Sequence, residues 1–458
     1  MTRARLDGHL LFWFGSALFV VLGVVGVRTS PISMVDLRGY YYGARCLLQH
    51  SDPYKQSELL HVYQAQGGDS PSDHAGLRQS VTTYVNVPSA FLFTAPIALL
   101  PWGPACLVWN LLTGASFLLA AYLMWSVAAE YAPAASGALM CFFLFNSALL
   151  LAYGNAAGVA LSLCVIGAWC FIKERFTRAG ILCLALSLAI KPHIAGPVWL
   201  FFLLAGGRNR KRALQTLAVT AILSLPMILW VSYVGPHWIS ELRANLQTMA
   251  LTHGDLNDPG PAAVDARSPG SIVIDMQSAI SLFRDDPRLY SPASYLLCAP
   301  LLMLWAIAAL RKRYSQESAW LALTAISALC ILPIYHRMHD TRILLFVFPA
   351  FGILWIRGGA IKWLALAFSG AGTVFLGVLP TQILATYSTH LRQSTHGLTG
   401  TLLAIIFTRP APLILLAMGI FYLWAYVRYT PTSFAIIGHR LSGEMPPAPA
   451  QHASGSPA

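Results

Sequence analysis

Charge is what this chain has least of. Asp, Glu, Lys and Arg make up 10% of its 458 residues, where a soluble globular domain carries about 25%. Together with 56% hydrophobic residues and a mean hydropathy of +0.60, the shortage excludes a water-soluble fold. It leaves an integral membrane protein, to be divided into spans of about 20 residues. Cysteine pairs are missing too. Seven of the eight cysteines lie in apolar runs and none forms a C-x-x-C, so neither a zinc site nor a disulfide framework is indicated; Cys46 is the lone loop cysteine and reads as free. No G-x-x-x-x-G-K-[ST] loop and no G-x-G-x-x-G after a strand is present, which removes support for nucleotide use. Internal repeats and heptads are absent, and there is no room for a separate soluble domain.

The Lys and Arg that are present give a net charge of +12. They gather in short loops rather than on one polar face, which points to membrane topology and not to nucleic acid. The clusters are Arg3/Arg5, Lys173 to Arg178, Arg208 to Arg212, Arg311 to Arg313, Arg357/Lys362 and Arg428/Arg440. Setting all of them inside makes the apolar runs pair as out-and-back hairpins. The spans are 10–28, 104–127, 134–152, 156–173, 179–192, 194–206, 213–233, 291–310, 318–335, 342–356, 362–380 and 408–427. The expectation is an all-α polytopic membrane protein of about 12 transmembrane helices with both termini cytoplasmic. The first span follows Arg3 and Arg5 as a signal peptide would, but its apolar run is long and no A-x-A site follows, so it reads as a retained helix. Residues 88–101, broken by Pro88, Pro96 and Pro101, are too short to span and read as a helix on the outer surface. Residues 1–430 form a single transmembrane domain, with outer loops at 29–103, which includes that helix, and at 234–290. The tail 431–458 is low-complexity and reads as disordered.

Ionisable side chains near membrane spans are expensive and mark function. Asp36 follows the first span, beside Tyr40, Tyr41, Tyr42, Arg38, Arg45 and the Asp52-Pro53-Tyr54 turn. It is either a solvated acid at a helix end or a partly desolvated general base. The tyrosines either stack on a sugar or anchor the loop at the interface. In Lys191-Pro192-His193 the proline breaks the helix and the lysine offers a point charge suited to phosphate; the alternative is a snorkelling lysine beside an interfacial histidine. His336-Arg337-Met338-His339-Asp340-Thr341-Arg342 is either a short solvated loop or a group in which a histidine meets the reacting centre while Arg337 and Arg342 fork onto phosphate. Its histidines and aspartate are also metal-ligand types, although H-R-M-H-D is no recognised zinc spacing. Weaker candidates are Tyr84, Asn86, Pro88 and Asn155, with Gln382, His390, Arg392 and His396.

An N-terminal span followed by Asp-x-x-x-Tyr-Tyr-x-x-Ala-Arg, an Asp-Pro-Tyr turn, a Pro-bearing surface helix after a Tyr, and Ile-Lys-Pro-His late in the first half resemble the GT-C glycosyltransferases. The closest resemblance is to glycosyltransferase family 87, over about residues 8 to 428, and it rests on the order and spacing of motifs rather than on any single one. The resemblance implies a GT-C fold and an inverting transfer of a hexose, such as mannose, on the periplasmic face of the cytoplasmic membrane. The donor would be a polyprenyl-phosphate sugar, the acceptor a lipid or glycan, and no metal or cofactor is implied. Asp36 matches the acidic residue that acts as general base. Lys191 with His193, His336 and Arg342 would surround the donor phosphate, and Tyr40, Tyr41, Arg45, Tyr84, Asn155, His339 and Asp340 would line the substrate. Phosphate is a good leaving group, so one base suffices where a glycosidase needs two carboxylates. Relatives often carry Tyr-Pro-Pro where this chain has Tyr84-Val85-Asn86-Val87-Pro88, which implies a different acceptor-facing surface. The rivals are a flippase or transporter of polyprenyl-linked intermediates and a non-catalytic relative. A transporter would show inverted repeats and deep charges in several spans, whereas these charges cluster at one face.

Overall fold

The computed structural model describes residues 2–68, 75–251, 273–377 and 397–429. Among these residues the chain is helical, with no strand and one isolated bridge between Val273 and Arg337. Helix α1 (Arg3–Thr29) has two faces. Leu10, Trp13, Phe14 and Val21 point outward, while Gly8, Gly15, Ser16 and Gly23 are buried. The small residues allow backbone-to-backbone packing of the kind membrane helices use in place of a hydrophobic drive. A Cβ on Gly15 would sit 2.7 Å from the Cα of Cys141.

The stretch expected as a first outer loop is largely helical. It holds α2 (Val35–Leu48), α3 (Gln56–Ala65), α4 (Ala75–Thr82), a 3-10 turn at Pro88–Ala90 and α5 (Phe91–Ala98). The last two lie where a surface helix is expected, opened by Pro88 and finished before Pro101, but most of their residues are buried against the rest of the protein. Aromatic packing is the reason the rest is not a loop. Tyr40, Tyr41 and Tyr42 are all buried, and Tyr84 stacks on Phe91 at 5.0 Å while meeting Tyr54 and Tyr40 edge-on. Each such pair contributes roughly 0.5–1.5 kcal/mol beyond its buried area. Cys46 is free as expected, but it is buried in α2 and not in a loop.

The remaining elements are α6 (Trp102–Ala128), α7 (Pro133–Phe145), α8 (Leu149–Tyr153), α9 (Ala157–Ile172), α10 (Thr177–Ile190), α11 (Pro192–Leu204), α12 (Gly207–Val234), α13 (Trp238–Leu251), α14 (Met276–Ile280), α15 (Pro287–Arg311) and α16 (Gln316–Leu329). A 3-10 segment, Met338–Phe346, then runs into α17 (Val347–Ile356), followed by α18 (Gly359–Phe375), α19 (Gly397–Thr408) and α20 (Pro410–Tyr429). Seven helical segments are long and apolar enough to cross a membrane: α1, α6, α7 continued by α8, α12, α15, the 3-10 segment with α17, and α20.

Each of the twelve expected spans contains a helix. Those at α9, α10, α11, α16 and α18 have only 16, 14, 13, 14 and 17 residues. At 1.5 Å per residue they fall short of a bilayer core about 30 Å thick, so helices of spanning length do not reach the count of twelve. Burial accounts for α9 and α16, which are sheathed by protein along most of their length and so need not bridge lipid. Residues 252–272 of the expected second outer loop, the weak candidates Gln382, His390, Arg392 and His396, and the tail 431–458 lie outside the described residues.

Candidate active site

Three chain segments meet at one end of the bundle. The first is the entry to α2. Met34 takes a left-handed conformation (φ 55°) and its N–H donates to the Ala152 carbonyl at 2.8 Å, which pins the start of α2 to the end of α8. Gly154, also left-handed (φ +65°), turns the chain from α8 into α9, and its carbonyl accepts the Trp109 indole N–H at 2.8 Å. Asn155 Oδ1 accepts the Ala157 N–H at 2.8 Å, an Asx turn that opens α9. These constraints set Asn155 against Asp36, and its Nδ2 donates to Asp36 Oδ2 at 2.8 Å.

The second segment is the break between α10 and α11. Pro192 cannot continue α10, so Lys191 leaves helical geometry (φ −140°, ψ 81°). Its ammonium is buried, donating to Asn155 Oδ1 at 3.0 Å and lying 3.5 Å from Asp340 Oδ1. Ser89 donates to the Ala189 carbonyl at 2.6 Å and ties the turn before α5 to the same break.

The third is the turn ahead of α17, clamped by backbone bonds from Ile274 N–H to the His336 carbonyl (3.0 Å) and from Met276 N–H to the Leu332 carbonyl (2.8 Å). Within it Asp340 is the hub. Its Oδ2 accepts from the Arg337 N–H at 3.2 Å and meets His336 Nδ1 at 3.1 Å, while its Oδ1 lies 3.6 Å from His339 Nε2. His336 Nε2 is buried without a hydrogen-bond partner among the described residues. The His193 ring stands at the exposed rim with its centroid 5.3 Å from that of His336.

Asp36, Asn155, Lys191, His193, His336, His339 and Asp340 are therefore brought together. Others stand apart. Tyr40 packs below the cluster and donates to Asn86 Oδ1 at 2.7 Å. Tyr41 and Arg45 both donate to the Leu100 carbonyl, at 2.8 and 3.0 Å. Tyr84 is enclosed by aromatics. Arg342 turns away: it is buried over the Phe143 ring and donates to the Leu376 carbonyl at 2.7 Å, with no ion pair to the cluster.

Two participants escaped sequence reasoning. Tyr335 lies in the field of both Asp36 and Asp340, and Asp275 sits buried near His336 and Arg409. Burial pushes the Asp275 carboxyl up to about 6, against the pull of the Ser278 N–H and of the neighbouring Arg409 guanidinium. Tyr335 directly precedes His336 and could have been included with its cluster. Asp275, between Ile272-Val273-Ile274 and Met276, is an acid in an apolar run, but the Gly, Pro and Ser that precede this run make the stretch resemble a linker.

His193, His336 and Asp340 offer ligand-type atoms within 4.8 Å of one another. Asp340 Oδ2 already accepts from the Arg337 N–H and meets His336 Nδ1, while Oδ1 makes no hydrogen bond among the described residues and lies 3.5 Å from the Lys191 ammonium. Asp36 Oδ1 accepts no hydrogen bond from the described residues, which leaves one carboxylate oxygen able to take a proton.

A family model described as glycosyltransferase family 87 matches residues 84–336, more than half of the chain. That stretch holds Asn155, Lys191 and His193 and ends at His336; Asp36 precedes it and Asp340 follows it. No curated protein and no solved structure matches the chain.

Proposed function

The chain belongs to glycosyltransferase family 87 and is a membrane glycosyltransferase, and we propose that it transfers a hexose by inversion from a polyprenyl-phosphate donor to a lipid or glycan acceptor on the outer face of the cytoplasmic membrane. The observation that carries this reading is the convergence of one carboxylate with a spare oxygen, Asp36, and a buried ammonium, Lys191, in a single polar cluster. In the proposed reaction the acceptor hydroxyl attacks the anomeric carbon from the face opposite the phosphate. Its proton passes to Asp36, the bond from the anomeric carbon to the phosphate oxygen breaks, and polyprenyl phosphate leaves with the electron pair. Lys191 offers the positive charge, and His193 and His336 the ring N–H donors, that such a leaving group needs, and charge held in place before the reaction costs no reorganisation during it. Arg342 belongs to this reading only as a distant contributor, because its Nη2 donates to the Leu376 carbonyl and the group packs over the Phe143 ring.

The twelve-span GT-C architecture with cytoplasmic termini belongs to the same proposal, the short helices completing the bundle from inside. The test is transfer of labelled sugar from polyprenyl-phosphate mannose or glucose by purified protein in lipid nanodiscs. Asp36→Asn is expected to lower kcat by at least about 100-fold, the low end for loss of a general base, while the donor still binds. Full activity in that variant would remove Asp36 from its role.

A further inference from the structure

We propose that Asn155 is a positioning residue that holds Asp36 ready to accept a proton and keeps it from pairing with Lys191. The inference rests on the reading of Asp36 as base and Lys191 as phosphate anchor. Its ground is that the orientation of the Asn155 amide is forced. The carbonyl oxygen Oδ1 accepts from the Ala157 N–H at 2.8 Å and from Lys191 Nζ at 3.0 Å. A flipped amide would set NH2 against two donors, so the observed orientation is the one the network permits. The NH2 group then faces Asp36 Oδ2, 2.8 Å away.

One amide thus stands between a carboxylate and an ammonium that would otherwise attract each other. No ion pair joins Asp36 to Lys191 among the described residues; the ammonium's carboxylate partner is Asp340, at 3.5 Å. A base locked in a salt bridge is a poor base, because the bridge favours its charged form. By donating a neutral hydrogen bond to Oδ2, Asn155 orients the carboxylate without neutralising it and leaves Oδ1 open. The other polar groups bearing on Asp36 are Tyr40 from α2 and Tyr335 and His339 from the turn ahead of α17; none of them bridges to Lys191.

Asn155→Asp isolates this role. An aspartate there still accepts from Ala157 and Lys191, so the Asx turn and the lysine contact survive, but the donation to Asp36 becomes a facing pair of carboxylates. The experiment uses full-length protein in nanodiscs with polyprenyl-phosphate mannose and polyprenyl-phosphate glucose as donors and an alkyl glycoside as acceptor. Asn155→Asp is expected to lower kcat about 100-fold, with donor KM changed less than about threefold. The acid limb of its pH–rate profile is expected to move up by about one pH unit, as paired carboxylates require. Asn155→Ala, which lets Asp36 close onto Lys191, is expected to lower kcat without that upward movement. An active wild type together with Asn155→Asp at wild-type kcat and an unmoved limb overturns the positioning role alone. A wild type inert toward both donors overturns the functional reading and this assignment together.

Discussion

Asp340 shows what a single buried charge demands of its surroundings. Lys191, His336 and His339 all turn toward its two oxygens, and both it and Lys191 are buried. Removing one member of a buried ion pair strands the other at a cost of about 3–5 kcal/mol, whereas removing both is often close to neutral. Lys191→Met alone is therefore expected to destabilise strongly, and the double variant Lys191→Met/Asp340→Asn to regain most of the loss. Thermal unfolding in detergent, run as a double-mutant cycle with Asp340→Asn alone, checks this; a loss in the double variant equal to the sum of the two single losses would show that the pair is not coupled. Transfer is expected to be lost in both. Residues of this kind were legible in the sequence, because Asp36, Lys191 and His336 are ionisable groups in apolar surroundings, where such groups are rare. The central part of Asn155 was not, since a lone amide at a turn carries no such signal and its two bonds depend on partners 119 and 36 residues away. The placement of Arg342 was also beyond reach: its charge and nearness in sequence suggested phosphate, while its side chain crosses to Leu376.

Among elements, the α8–α9 turn couples fold to site most directly. Gly154 holds a left-handed φ, and a Cβ added there would stand 2.9 Å from both Leu37 Cβ and Met34 Cε. Gly154→Ala thus combines a backbone penalty of about 1–2 kcal/mol with a clash against the start of α2, the helix that carries Asp36. The expectation is a loss of about 2–3 kcal/mol in stability and a fall in transfer, as Asn155 and Asp36 are pushed apart. Thermal unfolding and the transfer assay measure the two effects, and an unaltered Gly154→Ala enzyme would mean that the turn does not set the site. Of the proline signals, Pro88, Pro101 and Pro192 each mark a helix boundary, whereas Pro96, read as a break, lies inside α5. The helices within 29–87 were missed because their polar faces resemble loop composition. What makes them helical is a tyrosine cluster assembled from α2, the Tyr54 turn and Tyr84, which no local window contains.

At the scale of the whole molecule, several basic groups collect away from the Asp36 cluster. Lys173 pairs with Glu130, Arg208 and Arg212 with Glu174, and Arg357 with Glu317, while Lys312 donates to the Val427 carbonyl. Helix α9 starts two residues after Asn155 and ends beside Lys173. Its 16 residues therefore separate the two polar ends by about 24 Å at 1.5 Å per residue. Lys and Arg gathered at the end away from Asp36 are what the positive-inside rule expects of a protein whose Asp36 cluster faces outward. The orientation follows as a prediction, and exposure in the fold chooses the probes. Ser89 is buried and bonded to Ala189, so a cysteine there would label poorly on either side. Lys55 and Arg208 are solvent-facing, with 56% and 84% of their side chains exposed. In a cysteine-depleted background, Lys55→Cys is expected to react with a membrane-impermeant maleimide in intact cells, and Arg208→Cys only after permeabilisation. Labelling of both from outside would break the hairpin count, and the reverse pattern would put the Asp36 cluster in the cytoplasm, where a polyprenyl-linked donor would have to present its sugar to the inner leaflet.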